Sequence, residues 1–278
     1  MTNSKWFCIL GIILAGAVPI VGGPLSVKKT PYYRVKGAHA VARDSSSPTI
    51  VNAASFEEGV SPGDLATIFG QNLTTVNGVV IAQTNPLPFH LAGVQVFVNG
   101  NPAPIYAIAY ANGLDQISIQ VPYEAPTGPG AAEIEVIDQG SQVADFFADS
   151  FTEDPGIFVY NGNYAIAEAS DYSLIGPTNG AIPGEPLVLY VTGLGPLNQD
   201  LVDGYGAPTS PPLAESIDPF QVILDNEVCD VFFSGLAPGF VGLYQINFYV
   251  PRDAASGNLQ IYIQSPYATS AVAILPVR

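Results

Sequence analysis

Three blocks of this chain occur twice, in the same order and at nearly constant spacing. Val60-Ser61-Pro62-Gly63-Asp64-Leu65 returns as Ala181-Ile182-Pro183-Gly184-Glu185-Pro186. Val94-Gln95-Val96-Phe97-Val98-Asn99-Gly100 returns as Phe220-Gln221-Val222-Ile223-Leu224-Asp225-Asn226. Asp115-Gln116-Ile117-Ser118-Ile119-Gln120-Val121-Pro122 returns as Tyr244-Gln245-Ile246-Asn247-Phe248-Tyr249-Val250-Pro251. The offsets are 121, 126 and 129 residues. Self-similarity of this kind marks a duplicated unit, so the fold must be built twice from nearly the same parts.

That unit is a β unit. No stretch keeps a helical period over about a dozen residues, whereas alternating and β-branched runs recur between Gly, Pro and Asn. The pattern predicts strands at 65–69, 94–98, 103–108, 116–121 and 132–137. In the second copy it predicts 187–191, 220–224, 228–233, 244–250 and 259–263. Asn99-Gly100, and more weakly Asp225-Asn226, predict two-residue hairpins, whose central residues need positive φ. Pro122 and Pro251 each close a strand, because proline cannot donate to the ladder. Short strands in units of about 90 residues predict two immunoglobulin-like β-sandwiches in tandem. We place the first over residues 48–155 and the second over 156–278, with Asp154-Pro155-Gly156 as the turn between them. The acids of Ala144–Ile157 then fall at the junction.

Charge divides the chain unevenly. Residues 1–43 hold six of the eight Lys and Arg and no acid. Residues 44–278 hold all 24 acids against Arg252 and Arg278. Such an acidic body repels nucleic acid and anionic lipid, which removes both from the expected partners. Lys5 followed by the uncharged run Trp6–Val21 predicts a secretory signal over residues 1–23, too short for a comfortable membrane span. Cleavage would follow Ala17 or fall near Gly23, leaving no integral span; the alternative is an uncleaved anchor. Residues 24–47, with Lys28, Lys29, Arg34, Lys36 and Arg43, read as a basic flexible tether. Cys8 lies within the apolar run, so the mature chain would keep Cys229 alone and no internal disulfide. Ala103 holds the place of Cys229 in the first copy, which points to a small buried thiol.

The motifs also carry a resemblance. Asn52-Ala53-Ala54-Ser55-Phe56, Phe69-Gly70-Gln71-Asn72-Leu73 and Gln120-Val121-Pro122-Tyr123-Glu124 resemble the Solibacter-type (acidobacterial) extracellular C-terminal domain. The second copy is similar over Leu189-Tyr190-Val191-Thr192-Gly193-Leu194-Gly195-Pro196 and over Gly235–Gln245 (GLAPGFVGLYQ). The resemblance covers residues 50–278. It implies a secreted protein with IPT/TIG-type immunoglobulin repeats, and it assigns no catalytic residue. Ala109–Leu114 departs from the pattern by a longer loop, and a position almost alone behind a signal departs from the family's multidomain chains.

Individual chemistries are weakly represented. Gly59-Val60-Ser61-Pro62-Gly63 matches G-x-S-x-G in letters, but a nucleophile elbow needs a strand before the serine and a helix after it. His90 is the one imidazole of the body, and one His with one Cys makes neither a zinc site nor a nucleophile–base pair. Glu133 and Glu135 share one strand face. Calcium, which takes several oxygen ligands from a flexible loop, is the best metal candidate. Its candidate ligands are Asp200 and Asp203 in one loop, and Asp145, Asp149, Glu153 and Asp154 at the junction. Phe240 and Val241, between Gly239 and Gly242, form a candidate apolar contact for a partner.

The resulting expectation is a secreted or cell-surface, non-catalytic module acting in adhesion or in binding an extracellular protein or glycan. The alternatives are a secreted carbohydrate-active hydrolase using paired carboxylates and a structural subunit of an extracellular assembly.

Overall fold

The computed structural model describes residues 47–278. The expected signal segment and almost all of the basic tether lie outside them. The described chain is all-β. The first copy contains β1 (Thr49–Asn52), β2 (Leu65–Gly70), β3 (Val79–Ile81), β4 (Val94–Val98), β5 (Asn101–Pro102), β6 (Ile105–Ala111), β7 (Leu114–Gln120), β8 (Gly128–Asp138) and β9 (Ser141–Ser150). The second contains β10 (Gly156–Ile157), β11 (Val159–Tyr160), β12 (Tyr164–Ala165), β13 (Ala167–Ala169), β14 (Pro186–Thr192), β15 (Gln221–Leu224), β16 (Glu227–Val228), β17 (Asp230–Leu236), β18 (Tyr244–Tyr249), β19 (Gly257–Gln264) and β20 (Ala273–Val277).

Each copy is a sandwich of two sheets. In copy one the order β1-β2-β7-β6-β3 faces β5-β4-β8-β9. In copy two β10-β14-β18-β17 faces β11-β12-β20-β19-β15-β16. Alternation builds the cores: Val94, Val96 and Val98 of β4 and Ala132, Ile134 and Val136 of β8 are fully buried, while Glu133, between Ala132 and Ile134, is exposed. The cores are separate. One gathers residues from Ile50 to Val136, the other from Ile157 to Val277. The hairpin residues adopt the expected left-handed conformation, with φ of 49° and 77° at Asn99-Gly100 and 49° and 73° at Asp225-Asn226.

The duplication extends to single hydrogen bonds. Gly63 N–H donates to Val121 O at 3.0 Å, and Gly184 N–H to Val250 O at 2.8 Å. Val121 N–H returns to Asp64 O at 2.9 Å, and Val250 N–H to Glu185 O at 3.0 Å. Ala103 N–H reaches Val96 O at 2.8 Å, as Cys229 N–H reaches Val222 O at 2.8 Å. The repeated Pro-Gly, Gln-Val and Val-Pro blocks are therefore the parts that tie a turn, a hairpin and a strand end together at one end of each sandwich.

Several elements depart from the expected boundaries: the strand expected at 228–233 is divided at Cys229 into β16 and β17, and β1, β3, β5, β9 to β13 and β20 lie outside the expected strands. Residues 141–150, expected in part as an acidic junction, form β9, the ten-residue edge strand of copy one. Asp145 and Asp149 are exposed on it. Charges on an edge strand discourage pairing with another chain, and that is a sufficient physical reason for acids there.

The copies are joined by a third apolar cluster. It packs Leu65, Leu87 and Tyr106 of copy one against Tyr190, Val241 and Leu243 of copy two. Buried polar groups cross the same boundary. Leu65 N–H donates to Thr192 Oγ1 at 2.9 Å, and Thr192 Oγ1–H donates to Gly242 O at 3.0 Å. At the junction itself, Asn52 Nδ2–H donates to Asp154 O, just before the turn that leads into copy two, at 2.7 Å. Satisfied buried hydrogen bonds of this kind fix orientation as well as adding stability.

Candidate functional site

Copy two has an open cleft at the end where its repeated blocks meet. Its volume is about 410 Å³. Gly184 of the Pro-Gly turn and Val228–Cys229–Asp230, where β16 passes into β17, form two sides. Tyr249–Val250–Pro251–Arg252 at the end of β18 forms the third. Cys229 is buried, and burial pushes its thiol up to about 12, with Glu227 adding to the rise. A buried thiol with so high a pKa is a packing group. Arg252, one of the two Lys or Arg residues of the body, lays its stem near Gly184, with Cγ at 3.5 Å from where a Cβ would stand.

An aromatic ledge borders the cleft. The register of β17 against β18 shifts between Val231 and Phe233, so Phe232 leaves the ladder, as the extra residue of a bulge does. It lies exposed beside Tyr249, with ring centroids 5.0 Å apart and planes inclined by 42°. Bulges are a common device for re-aiming a side chain at a functional edge.

Each lining position has a partner in copy one, where the same ground is covered. Gln120 replaces Tyr249, Pro104 replaces Asp230 and Tyr123 replaces Arg252. A loop of copy two lies across them. Tyr123 N–H donates to Asp203 Oδ1 at 3.1 Å, and Gly204 N–H donates to Gln120 Oε1 at 2.7 Å. Leu87 N–H donates to Gly204 O at 2.8 Å. Gly204 has φ +80°, and a Cβ on it would stand 3.1 Å from Leu87 O and 3.3 Å from Pro104 Cγ. Glycine is thus required both for the conformation and for the close approach. The contrast in exposure is large: Gln120 is 0% exposed and Tyr249 42%.

The residues singled out from sequence fall at several places. Asp203 holds the copy-one contact, where burial pushes its carboxyl up to about 6 and the neighbouring Glu124 adds to the rise, against the Tyr123 N–H bond. Asp200 is exposed in the same loop. Asp149 accepts the Gly130 N–H at 2.7 Å, and Asp145 accepts from Gln142 at 3.3 Å. Glu153 and Asp154 are buried at the junction. Burial pushes Glu153 up to about 7, opposed by a hydrogen bond from Ser265 Oγ and reinforced by Asp218. Among the described residues, no group of three or more His, Cys, Asp or Glu is placed to hold a metal ion.

Val241 is 1% exposed and Phe240 packs against the same inter-copy cluster. The Tyr106 hydroxyl donates to Val241 O at 2.5 Å. Their glycine-flanked tip is turned inward against copy one instead of outward to a partner. Ser61 is fully buried, and its N–H is held by Asp64 Oδ2 at 3.0 Å within the turn. Glu133 and Glu135 stand on one face of β8, opposite Phe147 and Asp145 of β9. Sequence reasoning missed Phe232, Tyr249, Asp230 and Arg252. The signal was present in the copies themselves: three blocks are retained, yet at the cleft Gln, Pro and Tyr become Tyr, Asp and Arg.

Strand order, paired cores and matched hydrogen bonds define a tandem immunoglobulin-like β-sandwich protein. No protein-family model and no curated protein matches the chain. Among solved structures it is similar to the SGBP-B of the Bacteroides ovatus mixed-linkage glucan utilization locus, in complex with a mixed-linkage heptasaccharide. That match has 12% identity and a TM-score of 0.31, over 79% of this chain and 42% of that one. It is also similar to SGBP-B from a complex xyloglucan utilization locus in Bacteroides uniformis, with 12% identity and a TM-score of 0.26, over 77% and 46%. The titin immunoglobulin tandem A164-A165 matches with 11% identity and a TM-score of 0.20, over 84% and 96%. The chain spans less than half the length of the two SGBP-B chains. These are likenesses of fold.

Proposed function

We propose that this chain is a non-catalytic extracellular binding module whose contact surface is the open end of copy two. The observation that carries the reading is the exposed Phe232–Tyr249 pair beside a cleft that holds Arg252. Concave sites of this size, with aromatic walls and a few polar groups, are the usual form of a binding site. Tyr and Arg are the residues that most often carry binding energy. The acidic body directs the partner class toward proteins and uncharged glycans. The joint between the copies supports the same reading, because it holds the presenting domain rigidly on the rest of the chain. The Gly235–Gln245 motif belongs to that joint, and on its sequence resemblance we propose that the chain is akin to the Solibacter-type extracellular domains.

The test is a thermal-shift screen of the protein against neutral glycans and extracellular matrix proteins, repeated with Phe232→Ala/Tyr249→Ala. A ligand at 100 times its Kd adds about 2.7 kcal/mol to the state it binds. The reading predicts a shift in the wild type that the double variant loses. Binding that survives the double variant, or release of cleaved product from any panel member, defeats it.

A further inference from the structure

We propose that protons tighten the joint between the copies. Two carboxyl pairs, Asp203–Glu124 and Glu153–Asp218, each hold a loop of copy two in place by sharing a proton. When the pairs ionise, residues 202–206 lift off copy one and the segment that crosses between the copies loosens. The inference concerns the joint alone and is independent of the Phe232–Tyr249 surface.

Both pairs belong to one connection of copy two, the chain between β14 and β15. Its base closes where Leu197 bridges Ser216 and Asn198 N–H donates to Glu215 O at 2.9 Å. Just beyond that base Asp218 faces Glu153. Glu153 stands where the chain changes copies. Phe151 N–H donates to Val60 O of copy one at 2.8 Å, and Asp154 N–H donates to Gly193 O of copy two at 2.9 Å. The outer part of the connection carries Asp203 and Gly204 to Tyr123, Gln120 and Leu87, with Glu124 beside Asp203. Leu201 and Ala207, on either side, stay packed on the core of copy two. The apolar cluster that joins the copies contains none of residues 202–206. The tip can therefore lift while the copies stay together.

The charges at these sites are acids. Arg252 and Arg278 are the Lys and Arg of the described residues. Arg252 lines the cleft of copy two, and Arg278 ends the chain beside Ala181. Asp203 meets the Tyr123 N–H and Glu124. The Tyr123 phenol, raised by burial, stays neutral. Glu153 meets the Ser265 hydroxyl, which donates to Oε2, and Asp218. Glu153 is buried, and its Oε1 receives no hydrogen bond. Deeper in, burial and then Asp154 raise Asp64, whose Oδ1 also receives none.

Two neighbouring carboxylates shielded from water repel one another, and one proton held between them replaces the repulsion with a hydrogen bond. Burial, reinforced by the like charge, raises Asp203 to about 6 and Glu153 to about 7, against the bonds from Tyr123 and Ser265. In the open form these groups return to water and to their ordinary range. The closed joint thus holds protons that the open joint has released. Closure is complete at low pH and is lost as pH rises through about 6 and then about 7.

The test is amide hydrogen exchange on the full-length protein at pH 5 and pH 8, with protection factors corrected for the intrinsic pH dependence of exchange. Protection at Tyr123 and Gly204, and at Asp154, should fall by about tenfold or more at pH 8, since each unit of pKa difference is a factor of ten. Ile117 and Ile246 in the two cores should not follow. Asp203→Asn and Glu153→Gln keep the acceptors for Tyr123 and Ser265 and supply permanently the donor that the proton supplies. Asp203→Asn should abolish the fall at Tyr123 and Gly204 and leave it at Asp154; Glu153→Gln should do the reverse. Unchanged protection in the cores at pH 5 will show that both variants are folded. Equal protection in the wild type at both pH values overturns the proposal, as does a fall that the matching variant retains or that the cores share. Calcium that restores protection at pH 8 overturns it too, by assigning the carboxyl pairs to a cation.

Discussion

Replacing Asp203 by asparagine isolates the electrostatics of the joint between the copies. The carboxyl rises from 3.8 to about 6 in the folded protein, chiefly through burial. A folded-state pKa above the unfolded one means that the folded protein holds a proton the unfolded chain has released. Stability is therefore complete below about pH 4, falls as pH rises from about 4 to 6, and stays lower above that. Each unit of pKa corresponds to about 1.4 kcal/mol, which sets an upper bound of about 3 kcal/mol. The group is only about half shielded, and solvent screening brings the expected effect to about 1 kcal/mol. Asparagine keeps the Oδ1 that accepts the Tyr123 N–H and cannot ionise. Asp203→Asn should match the wild type at pH 4 and exceed it by about 1 kcal/mol at pH 7.5, a rise in Tm of about 2–4 °C for a body of this size. Glu153, pushed up to about 7, gives both proteins a further decline that the variant retains. Paired thermal melts at the two pH values decide the matter. A variant that is less stable than the wild type at pH 7.5, or that shows the same offset at both pH values, refutes the reasoning.

Three further perturbations probe the same architecture. Tyr106→Phe removes the donor to Val241 O inside the inter-copy cluster; stranding a buried carbonyl costs about 1–3 kcal/mol, measurable by urea denaturation, and a change within error would deny the bond its role. Gly204→Ala places a methyl against Leu87 O at positive φ and should cost about 1 kcal/mol or more. Hydrogen exchange at the Tyr123 amide should then accelerate beyond the global change, and an unaltered rate would count against the seating of this loop. Cys229, whose thiol burial raises to about 12, should resist alkylation at pH 8 in the native protein and react on unfolding. Rapid native labelling, mapped to Cys229 by mass spectrometry, would contradict its placement.

The sandwich strands were legible because one face of each is buried. Val94, Val96 and Val98 alternate with half-exposed residues, and the hairpin pairs announce their own positive φ. β9 was not legible, because as an edge strand it carries Asp145 and Asp149 on either side of the exposed Phe147 and reads like an acidic connector. The inward turn of Phe240–Val241 was equally hidden. Whether a glycine-flanked apolar tip faces solvent or a neighbouring domain depends on a surface nearly 140 residues earlier, where Tyr106 receives it. The cleft was legible in part. Its positions lie within the repeated blocks, but that one copy is covered and the other open depends on where the Asp203 loop goes, and no local pattern encodes that.

The asymmetry between the copies has a definite origin. Copy one reaches the Val79–Ala109 pairing 9 residues after the end of β2 at Gly70, whereas copy two reaches the matching Glu215–Gly235 bridge 23 residues after the end of β14 at Thr192. The longer connection carries Asp203 and Gly204 to copy one. The differences between the copies therefore divide into two sets. Asp203, Gly204, Gln120 and the Phe240–Val241 tip spend their chemistry on the joint, and changing them should alter stability. Phe232, Tyr249, Asp230 and Arg252 face solvent, and removing them costs the fold little. Natural selection on folding alone would not be expected to place an exposed aromatic pair and one of the body's two arginines together at the end of a sandwich whose twin is closed. Exposed apolar surface carries a standing liability for aggregation, which the proposed binding function would offset.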